Sequence, residues 1–456
     1  MLELNRLSAS QQARLIREKS ISCTELLEVY LAEIEAHDRD VNAFVTLDIE
    51  GAREQARRLD KLAASDQFLG SLHGLPVGIK DLSPVANMRC TFGSIAYENN
   101  IAERDATHVT NLREAGANII GKTNTPEFGH GRFGGQTDNL VSGLTRNPLD
   151  LRKTVSSSSG GSAAALAGCF VALADGSDIA GSIRGPAAWC GLYGLRPTSG
   201  IVPVWPSASP FNGTNVIGPM SRTITDLSIF FDALRGPGVA PLHDTPDPID
   251  EGAWKLENLR IGWCLTPDGA NTASEIGEAL EPLRKILVDA GAVVQEAEPD
   301  FAGLHSAQAL LRNFGVVVKL GKEIAARPQC FSDELQLAVA KGEALSNQEL
   351  VNALRVCDRA YHNVCTFFGS FDLMIWPTST QRPFAADARS DDIREDWKPI
   401  ELTPVLQLPA LALPVAKTPD GMPCGVQLIG PKRSDLGLIH LAKQLEPLIG
   451  YVDPTV

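Results

Sequence analysis

The chain has 456 residues, 44% hydrophobic and 21% charged, with a formal net charge of -14. That is the balance of a globular protein and not of a disordered one. The acidic surplus excludes the basic surface that nucleic acid or anionic lipid requires, and no run approaches the roughly 18 apolar residues of a membrane span.

The N-terminal MLELNRLSAS lacks the basic head and apolar core of a secretory signal. Two capping boxes follow, Ser8 with Gln11 and Ser22 with Glu25. After the second, Leu26, Leu27, Tyr30, Leu31 and Ile34 fall at helical spacing, so residues 1–65 are expected to be a helical region. His73–Leu82 (HGLPVGIKDL) reads as a short buried strand ending in a turn. Asp105–Asn124 reads as a capped helix, a Gly116 stop and a strand over Asn118–Ile120. Gly168–Ile179 gives another strand running into a loop.

Gly236–Glu251, rich in Pro and Asp, is expected to be a surface loop. Beyond it come a strand (LRIGWCL), a helix leading into a strand (ASEIGEALEPLRKILVDAGAVV), a mostly helical stretch over 303–370, and a return to strand and loop over Phe371–Thr380 and Thr403–Ala416. Alternation of this kind predicts one large α/β domain over residues 1–456, a twisted mixed sheet sandwiched between helices. The nine cysteines are scattered without a CxxC pair, which fits thiols in a reducing cytoplasm. Cys357, His362 and Cys365 match no zinc spacing, so no metal is expected.

Gly116–Thr123 (GANIIGKT) matches the phosphate-binding pattern G-x-x-x-x-G-K-[ST]. That chemistry needs a strand before the first glycine and a helix beginning at the lysine. Here a helix precedes Gly116 and strand residues fill the supposed loop, so Gly116 is read as a helix C-cap.

Thr154–Gly168 reads TVSSSSGGSAAALAG, which composition alone would assign to a linker. Downstream, small residues at Gly176, Ala180 and Gly181 lead into Ser182, a loop type that lets backbone N–H groups converge beside a hydroxyl. With SSSSGGS (Ser156–Ser162), GSDIAGSIR (Gly176–Arg184) and GLPVGIKD (Gly74–Asp81), the chain resembles the amidase-signature family of serine hydrolases. The family places its bridging serine and its nucleophile 24 residues apart, as Ser158 and Ser182 are. GKTNTPEFG (Gly121–Gly129), TRNPLD (Thr145–Asp150), GLRPTSG and GVQLIGPKRSD (Gly425–Asp435) extend the resemblance over nearly the whole chain.

The resemblance implies a Ser-Ser-Lys triad: Ser182 as nucleophile, Ser158 as proton bridge held through a cis peptide bond, and Lys80 as base. A serine attacks only when a base takes its proton, and a lysine serves only when burial keeps its amine neutral. Oxyanion donors would be the N–H groups of Ile179, Ala180, Gly181 and Ser182, with Ser159, Asp178 and Arg184 holding the loop. Ala180 stands where the family commonly has glycine, which requires negative φ there or a small strain. A catalytic core over about 66–235 is implied, with a variable substrate-side region over about 300–400. No metal or organic cofactor is expected.

A Ser-His-Asp alternative lacks a G-x-S-x-G elbow. His108 lies at the start of a plain amphipathic helix, and His73 and His130 suit core or surface roles. The expected substrate is a small amide, apolar or aryl, entering a pocket built from Phe128, Gly129, Phe133, Gln136 and Trp376, with Trp205 and Phe211 as further aromatic wall. Aryl ester or carbamate hydrolysis on the same triad is one alternative. Another is the glutamine amidase subunit of a tRNA amidotransferase, although such subunits usually carry MDEF where this chain has TPEF (Thr125–Phe128). The protein is expected to be cytoplasmic, a monomer or homodimer, with no nucleic-acid or membrane partner.

Overall fold

Both capping boxes close as reciprocal side-chain and backbone hydrogen bonds, starting the helices Ala9–Arg17 and Cys23–Val41. The computed structural model describes residues 3–131, 135–207, 213–236, 254–388 and 398–450. The strands in chain order are β1 (Phe44–Leu47), β2 (Pro76–Lys80), β3 (Asn118–Thr123), β4 (Arg146–Asn147), β5 (Asp150–Thr154), β6 (Leu173–Asp178) and β7 (Tyr193–Arg196). They continue as β8 (Val216–Ser221), β9 (Arg260–Trp263), β10 (Val293–Glu296), β11 (Leu373–Pro377), β12 (Ala410–Lys417) and β13 (Pro423–Ile429).

β4 and β5 form a two-stranded ribbon, and the others form one 11-stranded sheet in the order β1-β3-β2-β6-β8-β7-β12-β13-β11-β9-β10. The pairs β3-β2, β2-β6, β11-β9 and β9-β10 are parallel and the rest antiparallel. The mixed sheet flanked by helices is the expected class. β3, β2 and β6 are buried at every position, as strands covered on both faces must be.

Two segments differ from expectation. The N-terminal helical region contains the edge strand β1 between Cys23–Val41 and Ile49–Ala64. Thr403–Val405 is the last turn of a helix, Lys398–Val405, with Pro404 inside it. The helix Thr107–Glu114 also starts without a side-chain cap, because Ala106 is its N-cap and Asp105 binds the Ala86 N–H and Arg113 instead. Gly116 takes φ +91° after that helix and β3 follows, so the GKT segment is helix-then-strand, with Lys122 buried against Asp81 at 3.0 Å. Residues 237–251 of the expected loop lie outside the described residues.

The main core fills both faces of the sheet, and Tyr30, Tyr193, Phe170, Phe230 and Phe231 are its bulkiest wholly buried non-tryptophan hydrophobic members. A separate small core joins the helices Leu304–Ala326 and Asp333–Glu343 through Val316, Leu320, Ile324, Leu335 and Phe331, and Phe128 packs against it. No described helix is long and apolar enough to cross a membrane.

Candidate active site

β3, β2 and β6 run parallel and all end on one side of the sheet, which puts Thr123, Lys80 and Asp178 at adjacent strand ends. The Ser156–Gly161 run lies above them. It is a turn that feeds the helix Gly160–Ala167, with Ser156 at φ +69° and the Ser157–Ser158 peptide cis. Its glycines have no room for a side chain: a Cβ at Gly160 would lie 2.2 Å from Thr137 Oγ1, and one at Gly161 2.2 Å from Asn124 N.

Lys80 is 1% exposed. Its Nζ donates to Ser158 Oγ at 2.7 Å, Ser159 Oγ at 2.9 Å and Ser177 Oγ at 2.9 Å, with the Ser177 carbonyl at 3.5 Å. Burial lowers its pKa to about 7, against the opposing pull of Asp175 and Asp178. A largely hydroxyl-lined amine of this kind is basic enough to take a proton and neutral enough to do so near neutrality.

Ser182 stands on the other motif, half-buried just before the helix Arg184–Trp189, and its carbonyl accepts the Ser159 N–H at 3.1 Å. That bond ties the two motifs together. Ile179 and Ala180 are likewise half-buried, so this lip is where an otherwise closed cluster meets solvent. The N–H groups of Ile179, Ala180 and Ser182 have no hydrogen-bond partner among the described residues. Gly181 departs from expectation, because its N–H donates to Asp178 Oδ1 at 2.8 Å and is not free for an oxyanion. Gly181 takes the positive φ (+92°), while Ala180 keeps a negative one and its methyl costs no strain.

Asp178 also accepts the Ile183 N–H and pairs with Arg184 at 3.1 Å and Arg196 at 3.5 Å. Burial opposes its ionisation, but the two guanidiniums outweigh it and hold the carboxyl at about 2. Arg184 continues outward to the Ile400 carbonyl, Thr403 Oγ1 and Gln427 Oε1. Ser159 binds Lys80 and the Ser177 N–H. These contacts tie Ser159, Asp178 and Arg184 to the two motifs.

The pocket residues separate. A Cβ on Gly129 (φ +76°) would lie 3.3 Å from Ser158 Oγ, so this glycine lies against the bridging serine. Phe128 is half-buried and stacks on Phe92 and Phe331. Gln136 is buried, with its amide donating to the Ala388 carbonyl. Trp376 is a correction: it is 0% exposed, on β11 between β13 and β9, edge-on to Phe301 in a core cluster. Phe133 and Phe211 lie outside the described residues, and Trp205 is exposed.

His73 is a satisfied core histidine, bonded to the Leu69 N–H and the Leu59 carbonyl. Sequence reasoning passed over Gln308 and read His108 as part of a plain amphipathic helix. Gln308, 6% exposed, reaches the Ile179 carbonyl at 3.4 Å while its Oε1 has no partner among the described residues. His108 is buried against Asp175, although it shared the buried phase of Val109 and Leu112.

The family model described as Amidase matches residues 25–439. The chain belongs to the amidase family. It is 30% identical to an acylamidase of Rhodococcus erythropolis, over 99% of this chain and 97% of the relative. It is 33% identical to a glutamyl-tRNA(Gln) amidotransferase subunit of Moorella thermoacetica, over 99% and 98%. Among solved structures, a bacterial aryl acylamidase of the amidase-signature enzymes superposes with TM-score 0.84 at 26% identity, covering 97% of this chain and 96% of that one. As a family member the chain is a hydrolase of C–N amide bonds.

Proposed function

We propose that the protein hydrolyses a small, apolar or aryl amide through an acyl-enzyme on Ser182, with Ser158 and Lys80 as the proton relay. The observation that carries this reading is the 2.7 Å contact between a buried, hydroxyl-solvated Lys80 amine and Ser158. Ser182 Oγ attacks the carbonyl carbon while its proton passes to Ser158, whose own proton moves to Lys80 Nζ. The tetrahedral oxyanion takes the N–H groups of Ile179, Ala180 and Ser182. The ammonium, through Ser158, then protonates the departing amine, and the same relay activates the water that frees the acid. The half-buried Phe128 cluster supports an apolar or aryl acyl or amine group. The same tetrahedral chemistry would serve aryl esters and carbamates.

A second reading, glutamine amidase within an amidotransferase, is favoured by the relative at 33% identity. Turnover of glutamine, an aliphatic amide, an anilide, an aryl ester and an aryl carbamate tests both, beside Ser182→Ala and Lys80→Ala. Anilide activity that falls by at least about 10³-fold in each variant is the expected result. Turnover confined to glutamine favours the second reading, and activity retained in Ser182→Ala removes the triad assignment.

A further inference from the structure

The helix Thr107–Glu114 brings an imidazole to the underside of the catalytic strands, where the acyl-transfer chemistry makes no use of it. His108 Nε2 lies 3.2 Å from Asp175 Oδ2, with the two side chains 2% and 0% exposed. A carboxylate only accepts, so Nε2 carries the proton. The other Asp175 oxygen accepts the backbone N–H of Lys80 at 2.6 Å. His108 Nδ1 has no partner among the described residues. A chain of two hydrogen bonds therefore runs from helix to β6 to β2 and ends on the residue whose amine meets Ser158. Burying such a pair costs desolvation that an apolar pair of the same size would avoid. Packing gives no reason for it.

We propose that His108 is a positioning residue for the reaction, acting through Asp175 to set how strongly the charge beneath β2 holds Lys80 as an ammonium. The inference rests on the reading of Lys80 as base. Asp175 and Asp178 both favour the ammonium, against burial. Asp178 is neutralised by Arg184 and Arg196, which leaves Asp175 as the adjustable charge. The hydrogen bond from His108 draws that charge away from Lys80.

The other charges around the pair are committed elsewhere. Asp81 on the β2 side pairs with Lys122 of β3. On the histidine's own helix Arg113 pairs with Asp105, and Glu114 is exposed. On the helix Ile224–Arg235 packed against it, Asp226 takes the Ala9 and Ser10 N–H groups, and Asp232 pairs with Arg235. Arg222, before that helix, holds the Leu7 carbonyl.

The test is kcat/KM against pH on p-nitroacetanilide, with the rate of Ser182 labelling by a fluorophosphonate as a readout that needs no substrate. Wild type is compared with Asp175→Asn, His108→Leu, His108→Gln and the double variant His108→Leu/Asp175→Asn. Removing Asp175 should move the acid limb about one pH unit lower, and removing the imidazole donor should move it roughly half to one unit higher. His108→Gln, whose amide still donates, should hold the limb near its wild-type position, and the double variant should follow Asp175→Asn. Shifts of the same sign in both single variants, or lowered rates with an unmoved limb, overturn the proposal. Where Asp175→Asn does not fold, the His108→Leu and His108→Gln pair decides with Asp175 intact. Lys80→Ala separates the two readings: an acid limb that persists there at the wild-type pH removes the base assignment, however the His108 variants behave.

Discussion

Lys80 keeps its amine in the interior on three serine hydroxyls and one carbonyl, with no carboxylate bonded to Nζ among the described residues. Its folded pKa of about 7, below the ordinary 10.5, fixes a linkage sign. Between those values the unfolded chain holds a proton that the folded one lacks, so stability rises with pH across the window. Urea unfolding of wild type should gain on the order of 2 kcal/mol relative to Lys80→Met between pH 7.5 and 9.5, and parallel pH dependences would contradict it. Asp178 carries the same sign in a lower window. Held at about 2, it stabilises above the unfolded value of 3.8, and that contribution fades as pH falls toward 2. Asp178→Asn strands two buried guanidiniums and should lower stability by about 3–5 kcal/mol, read by thermal unfolding at neutral pH. The residue types of the candidate site were legible in the sequence, because each proposed reacting group has a motif around it. His108 was not, since its partner lies 67 residues away on another element.

Elements divide by what holds them. Helices opened by their own capping boxes, and strands of unbroken apolar residues, are written locally and were read so. The helix Lys398–Val405 was not, because Pro404 and Thr403 disfavour a helix interior. Arg184 supports it instead, by bonding the Ile400 carbonyl and Thr403 Oγ1. The serine and glycine run shows the converse, an apparent linker that tertiary contact turns into a packed turn and helix. Gly161→Ala would press a methyl on Asn124 and Ala43 backbone, at 2.2 and 2.7 Å, and should cost several kcal/mol or prevent folding. Gly129→Ala meets only side-chain atoms, Leu82 and Ser158, at a positive φ. It should yield folded protein with kcat lowered at least about 10-fold, as circular dichroism and turnover together would register.

Across the whole molecule, the region over Leu304–Ser370 meets residues 66–235 at several places. Gln308 meets the Ile179 carbonyl, and Glu127 accepts the Ser332 N–H on one oxygen and the Ser94 hydroxyl on the other. Phe128 joins the small core of that region, between Phe92 and Phe331, so the residue next to Gly129 is also packed on the helices. Phe128→Ala should therefore raise KM for an anilide about 10-fold or more while leaving KM for acetamide within about threefold. Equal effects on the two substrates would separate this cluster from the binding site.

The sequence by itself determined the family, the alternation of helix and strand, and the candidates for the reacting side chains, because motif spacing and hydrophobic period are properties of neighbours along the chain. Tertiary structure alone decided that Trp376 is core and not pocket, that Gly181 spends its N–H on Asp178, and that His108 meets Asp175. The reason is common to all three. Burial and hydrogen-bond partnership are settled between segments distant in sequence, and one buried donor cannot serve two acceptors fully.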